Sequence, residues 1–106
     1  MSSFDEREKG FENKFKHEQE VAFKVTARRN RLLGLWAAKQ LGLSGPAADD
    51  YAKSVVAADM EKPGDEDVVG KLLKDLTAKG VAMTAHRIRA EIEALTAVAR
   101  KQITEK

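Results

Sequence analysis

The sequence predicts an all-α protein, an antiparallel four-helix bundle with a disordered or fraying N-terminal arm. Apolar residues recur at helical spacing in four segments, and no stretch shows the strict alternation of a half-buried strand. Short turns containing Gly or Pro separate the segments, and helices joined in this way pack antiparallel to their neighbours. The chain of 106 residues is long enough for one core and too short for two.

The composition excludes several classes of protein. The 19 basic and 17 acidic residues are interspersed and give a net charge of +2, which argues against nucleic acid as the main partner. Because the chain has no cysteine, it has no disulfide framework, thiol nucleophile or cysteine-based zinc site. We find no signal-peptide pattern and no membrane-spanning apolar run, so we expect a cytoplasmic protein without direct membrane insertion.

Residues 1–18 form the predicted arm. Phe4, Phe11 and Phe15 fall on one narrow helical face among charged and polar residues. Gly10 destabilises a helix here by about 1 kcal/mol relative to Ala. Because so narrow a stripe cannot hold the segment folded, we expect the arm to be disordered or fraying when the protein is alone.

Residues 19–106 form the predicted bundle. Its helices are expected at about 19–42, 46–61, 65–79 and 84–104. We expect Gly42 to end the first helix as a C′ glycine and Thr84 to cap the last one. Gly34 and Gly70 lie inside helices, where they predict close approach of a neighbouring helix. The expected core positions are Val21, Val25, Leu32, Leu35, Trp36, Ala48, Tyr51, Ala52, Val55, Val56, Met60, Val68, Val69, Leu72, Leu73, Leu76, Ile88, Ile92, Leu95, Val98, Ala99 and Ile103.

Neither an active site nor a metal site is predicted. His17 and His86 have no second ligand at helical spacing in a recognised pattern; His17 lies in the arm, and His86 is interpreted as a surface or first-turn residue of the last helix. Asp65 and Asp67 mimic the opening of a calcium loop, but Leu76 stands where that loop requires a bidentate Glu. These acids instead suit the positive end of a helix dipole. We therefore predict no enzymatic activity, no metal and no required cofactor.

Two patterns indicate binding. The three Phe of the arm are typical of helix-in-groove recognition, and the alternative is that their rings fold back and complete the core. Arg28, Arg29 and Arg31, with Lys24, form a basic cluster that is a candidate phosphate or nucleotide site with weak ATP or ADP binding, and the alternative is that it faces an acidic partner. Because these arginines surround one helical turn, we expect that they do not all face one ligand and that some of their stems cover the core.

Two distinctive runs carry a family resemblance. Residues 4–15 read Phe-Asp-x-Arg-Glu-x-Gly-Phe-Glu-x-Lys-Phe, and residues 27–38 read Ala-Arg-Arg-Asn-x-Leu-Leu-Gly-Leu-Trp-Ala-Ala. Both resemble the ζ inhibitor subunit of the alphaproteobacterial F-type ATP synthase. The likeness continues at residues 51–53, 64–68, 86–89 and 99–103, and so spans nearly the whole chain. Lys16 departs from the small apolar residue that we expect in the family's arm.

The resemblance implies a four-helix bundle that anchors to the catalytic head of the rotary enzyme, through its α, β and γ subunits. The arm would enter a catalytic α/β interface beside the central stalk and block ATP hydrolysis. The protein would be cytoplasmic and would lie at the inner membrane through its contact with the ATP synthase. The free protein would be monomeric. The residues that we assign to partner binding are Phe4, Arg7, Gly10, Phe11, Lys14 and Phe15.

Two other functions stay open at this point. One is a nucleotide-binding module that uses Arg28, Arg29 and Arg31, which titration of ATP or ADP against the Trp36 signal would detect. The other is an assembly module of the same complex without strong inhibition, which would bind the head and leave hydrolysis unchanged.

Overall fold

A computed structural model describes the backbone of residues 3–61 and 64–104 and the side chains of residues 17–60 and 64–104. Its four helices are α1 (Ser3–Gln40), α2 (Gly45–Glu61), α3 (Asp65–Ala78) and α4 (Ala85–Thr104). The described ranges contain no strand. The predicted all-α, four-helix class is confirmed. The predicted fraying concerns the arm, where the side chains of residues 1–16 lie outside the described part of the chain, and it stays a prediction.

The four helices pack as a square. α1 lies against α2 and α4, and α3 closes the square by packing on α2 and α4. The order of contacts between α1 and α2 is antiparallel, because Gly34 lies against Ala52 whereas Asn30, earlier in α1, bonds to Asp59, later in α2. The predicted antiparallel arrangement is therefore confirmed.

The core draws residues from all four helices. Its buried members are Leu33, Ala37, Val55, Val68, Val69, Leu72, Leu76, Ile88 and Ile92. On α1 the buried face follows a four-residue spacing through Val25 and Leu33, whereas Leu32 and Leu35 are only half-buried. Met60 and Val98, which we expected in the core, are exposed. Apolar spacing identified the right helices and the buried face of α3, whereas it missed Leu33 on α1 and wrongly included Met60 and Val98.

Gly34 is the point of closest approach between α1 and α2. A Cβ added to Gly34 would lie 2.6 Å from the Cα of Ala52, a distance that real side chains do not tolerate. The predicted close approach is confirmed here because only glycine fits. The same prediction is wrong for Gly70, where an added Cβ would meet nothing within 4 Å because the residue faces away from the described helices.

The helix ends use the expected devices. Gly42 has a φ of 79°, and beyond α1 the Leu43 N–H donates to the Ala38 carbonyl at 2.8 Å. At α4 the Arg87 N–H donates to the Thr84 hydroxyl at 3.1 Å, which confirms the predicted cap.

The length of α1 distinguishes it from its neighbours. Its 38 residues span about 57 Å, compared with about 26 Å for the 17 residues of α2 and about 30 Å for the 20 residues of α4. Residues 17–20 are exposed, and Val25 is the first described residue that is buried. The predicted first helix, residues 19–42, is thus the C-terminal part of a longer helix, and the division at residue 18 stays a prediction.

Candidate partner-binding site

A buried polar network crosses the bundle from α1. Arg29 and Asn30 are only 7% and 1% exposed. The Nε and Nη2 atoms of Arg29 donate to Asn30 Oδ1 at 3.1 and 2.8 Å. Asn30 Nδ2 donates to Asp59 Oδ2 at 3.0 Å, and Arg29 Nη2 pairs with Asp65 Oδ1 at 3.0 Å. The network therefore joins α1 to both α2 and α3.

This network positions α1 in the bundle. Charge-assisted hydrogen bonds have narrow geometry, so a sliding or rotating α1 would leave Arg29 and Asn30 without partners in a buried setting. Every buried side-chain polar atom among the described residues has a hydrogen-bond partner. We infer that the network fixes the register of α1 against α2 and α3. Buried ion pairs set such geometry more reliably than they add to the free energy of unfolding.

Arg28 and Arg31 lie on a different face of α1 and line an open groove of about 540 Å³. We call it the basic groove. Its lining residues are Phe23, Lys24, Ala27, Arg28 and Arg31 of α1, Lys53 and Val56 of α2, and Ile103 of α4. Ala27, Val56 and Ile103 are partly buried, so apolar surface lies between basic side chains.

The cations of the basic groove have few partners within the protein. Arg28 Nη1 donates to Gln102 Oε1 at 3.3 Å, and Arg31 Nη2 lies 3.9 Å from Asp49 Oδ1. Both contacts are exposed, and such contacts contribute little. Among the described residues, no carboxylate lies within ion-pair distance of Lys24, Arg28 or Lys53. The groove therefore presents positive charge to solvent.

Two large apolar side chains are exposed, one in the basic groove and one in the groove next to it. Phe23 and Met60 are 63% and 66% exposed. Both also line a second groove of about 390 Å³ between α1 and α2, together with Ala22, Thr26 and other residues. Phe23 thus forms a ridge between two grooves, and its ring lacks the cover that a core residue has.

The predicted arm contacts are placed only in part. Phe4, Arg7, Gly10, Phe11, Lys14 and Phe15 all fall within the helical backbone of α1. Their side chains lie outside the described residues, so their assignment to partner binding stays a prediction.

The three predicted phosphate contacts do not form one site. Arg29 is engaged with Asn30 and Asp65, whereas Arg28 and Arg31 line the basic groove. The three arginines therefore do not line one groove, and their role as phosphate or nucleotide contacts stays a prediction. The sequence analysis missed Phe23 and Lys53. For Phe23 the sequence offers one indication of an exposed binding residue, an aromatic ring beside Lys24 that does not share the helical face of Val25. For Lys53 it offers none, because the position of Lys53 beside Arg28 depends on how α2 packs.

A second polar cluster joins α2 and α3. Tyr51 donates to Asp75 Oδ2 at 2.8 Å, and Lys71 Nζ reaches the same oxygen at 3.0 Å. Burial and the hydrogen bond to Asp75 raise the pKa of Tyr51. Burial alone would raise the pKa of Asp75, but the hydrogen bonds from Tyr51 and Lys71 outweigh it and hold that pKa below its usual value. The cluster ties the two helices together.

Other candidate chemistry has little support in the structure. His17 and His86 are exposed. Within residues 17–60 and 64–104, no group of His, Cys, Asp and Glu is arranged to hold a metal ion. Over the same part of the chain, no helix combines the length and the apolarity needed to cross a bilayer. The features left for recognition are the basic groove and the N-terminal extension of α1.

The comparison with protein families decides the identity. Residues 1–102 match the family described as ATPase inhibitor subunit zeta. This chain belongs to that family. The zeta resemblance drawn from residues 4–15 and 27–38 is thereby confirmed, and a zeta subunit, as an ATPase inhibitor subunit, implies interaction with an ATP synthase.

Comparison with solved structures supports the fold of this zeta-family chain. A protein solved by solution NMR is 48% identical to it, with a TM-score of 0.69. The match covers 78% of this chain and 94% of that one. Among curated proteins, none matches the sequence.

Proposed function

We propose that this zeta-family chain is a regulatory subunit that inhibits ATP hydrolysis by the rotary F-type ATP synthase. Its N-terminal arm inserts at a catalytic α/β interface beside the central stalk and blocks rotation. The family match carries the proposal, because it covers the arm as well as the bundle, residues 1–102. The partners are the α, β and γ subunits of the head, and no cofactor is required.

The dimensions of α1 suit this role. At about 57 Å it is roughly twice as long as α2 or α4, so those helices cannot cover its whole length. Its N-terminal part is therefore available to a partner. A groove in the head would bury the Phe stripe, and each Phe contributes about 1.5–3 kcal/mol when fully buried.

Gly10 and the charged residues of the arm make the interaction reversible. Gly10 lowers the stability of the free helix by about 1 kcal/mol relative to Ala, so the order of the bound arm depends on the partner. Part of the binding free energy is spent on ordering the arm, which lowers affinity and keeps the inhibition responsive to conditions. The bundle holds the arm at a defined angle through the network of Arg29, Asn30, Asp59 and Asp65.

The test is ATP hydrolysis by the isolated cognate head with increasing amounts of the chain. Deletion of residues 1–18 should abolish inhibition, while far-UV helicity and the cooperativity of melting persist. Replacing Phe4, Phe11 and Phe15 by Ala should raise the half-inhibitory concentration by at least about 1000-fold, since each of the three buried Phe lost costs more than tenfold in affinity.

A matched control is the double substitution Glu6→Ala/Asn13→Ala. On a helix of 3.6 residues per turn, these positions lie opposite the Phe stripe, so inhibition should change little. Full inhibition by the truncated chain would overturn the role of the arm. If the full chain binds the head and hydrolysis continues, the chain is an assembly module.

A further inference from the structure

The basic groove offers a docking surface on the bundle itself, separate from the arm. We propose that it binds an acidic, amphipathic helix of the ATPase head and that this contact holds the bundle on the enzyme. The inference rests on the proposed function, which supplies the head as partner, and adds the bundle surface and the chemistry that it recognises.

The shape of the groove suits a helix. Phe23, Ala27 and Arg31 are spaced four residues apart and form one ridge along α1, and Lys24 and Arg28 form the next. Val56 of α2 and Ile103 of α4 wall the groove on either side of this ridge. An incoming helix packs its own ridges beside such rows, which is the geometry of helix-in-groove recognition.

The charge of the groove selects the occupant. All four charged lining residues, Lys24, Arg28, Arg31 and Lys53, are basic, although the chain as a whole has 19 basic and 17 acidic residues. Carboxylates on the occupant would complement these side chains.

The exposed apolar surface distinguishes a helix from a free phosphate ligand. Phe23, which is 63% exposed, lines the basic groove together with the cations, and Met60, which is 66% exposed, lines the neighbouring groove that shares Phe23. A phosphate group would pair with the cations and leave these side chains in water. An amphipathic helix covers both, since its apolar residues contact Phe23 and Met60 while its acidic residues reach the cations.

The position of the groove links docking to the arm. Phe23 follows the predicted arm, residues 1–18, on the same helix by five residues, about 8 Å along the axis. A head helix held in the groove therefore fixes the distance and direction from which the arm starts.

The experiment measures binding of the full-length chain to the isolated cognate head at several salt concentrations, with hydrolysis measured in parallel. Phe23→Ala should weaken binding by at least about tenfold, because buried aromatic residues dominate interface affinity. The triple variant Lys24→Glu/Arg28→Glu/Lys53→Glu should weaken it by at least about 100-fold and flatten its salt dependence.

Matched controls lie outside the groove. Val98→Ala changes an exposed apolar residue of α4 that is absent from the groove lining. Lys74→Glu/Lys79→Glu/Arg87→Glu makes the same change of charge on α3, at the C-cap of α3 and on α4, at exposed positions that do not line the groove. Both controls should bind within about threefold of the unsubstituted chain, and all variants should keep its far-UV helicity.

The outcomes separate this inference from the proposed function. Unchanged binding and inhibition by both groove variants would overturn the docking surface and leave the proposed function standing. Groove-dependent binding without inhibition would overturn the proposed inhibition and leave the docking surface standing. No binding by the unsubstituted chain would overturn both. Amide shifts at Lys24 and Arg28 on adding ATP, with head binding insensitive to the groove variants, would make the groove a nucleotide site and overturn helix docking.

Discussion

The contact between α1 and α2 differs greatly between its two ends. Around Gly34 the helices approach so closely that an added Cβ would lie 2.6 Å from the Cα of Ala52. Around Phe23 the same helices leave a groove of about 390 Å³ and expose most of the ring. The first region buries its apolar surface within the fold, whereas the second exposes its apolar surface to solvent.

Side-chain size and the direction in which each side chain points explain this difference. At the Gly34 end, small residues let the backbones of α1 and α2 approach closely, and the side chain of Leu33 is completely buried in the core. At the Phe23 end, the ring lies off the buried face marked by Val25 and Arg29, and it lines two grooves and not the core. Substitutions at the two ends should therefore affect different measurements, namely stability at one and binding at the other.

The largest effect is expected from Leu33→Ala. Leu33 is fully buried, so its truncation should lower the free energy of unfolding by about 2–5 kcal/mol. Phe23→Ala removes a larger side chain and should change that free energy by less than about 0.5 kcal/mol, because the ring is mostly exposed. Urea unfolding followed by circular dichroism compares the two variants. Similar losses of unfolding free energy in both would contradict the division between a stabilising end and an exposed end of the α1–α2 contact.

Arg29→Ala should have the next largest effect. It leaves Asn30 and Asp65 without their donor and should cost about 1–3 kcal/mol in unfolding free energy. Arg28→Ala is the matched control on the neighbouring exposed face, with an expected change below about 0.5 kcal/mol. Equal effects of the two substitutions in thermal melts would show that the buried network does not fix α1.

Gly34→Ala tests the close contact directly. The new methyl group should force α1 and α2 apart and cost about 1–3 kcal/mol, only partly offset by the better helix propensity of Ala. Gly70→Ala has open space around it and should stabilise the protein by up to about 1 kcal/mol. Opposite signs of the two changes in chemical unfolding are the prediction, and stabilisation by both would refute the close contact.

The smallest effect is expected on the loss of stability at low pH, which Asp75→Asn should alter. Because the folded-state pKa of Asp75 lies below its usual value of 3.8, its stabilising contribution is present above that pH and is lost as the pH falls through the folded-state pKa. Asp75→Asn should therefore flatten the loss of stability below about pH 4. Melting temperatures between about pH 2 and pH 6 check this, and an unchanged acid profile in Asp75→Asn would count against the cluster with Tyr51.

The sequence predicted the helices well because their ends carry local signals. Gly42, Thr84 and the apolar spacing act within a few residues, and the structure retains each of them. The close approach at Gly34 was predictable because glycine inside a helix needs a reason. The same reasoning was wrong for Gly70, where that reason is absent from the described structure.

The candidate site was less predictable because it depends on residues that are distant in the chain. Lys53 joins Arg28 and Arg31 only once α2 is packed on α1, and Arg29 is buried only because Asn30 and Asp65 satisfy it. Basic residues in one helical turn look alike in sequence. Their neighbours on other helices decide that Arg29 is buried in the fold and that Arg28 and Arg31 face solvent.

The most direct test of the central claim is ATP hydrolysis by the isolated cognate head, with the full-length chain compared with the chain lacking residues 1–18. We predict that the full-length chain reduces hydrolysis and that the shortened chain, still helical and cooperatively folded, leaves it unchanged. Equal inhibition by both chains, or none by the full-length chain, would contradict the account.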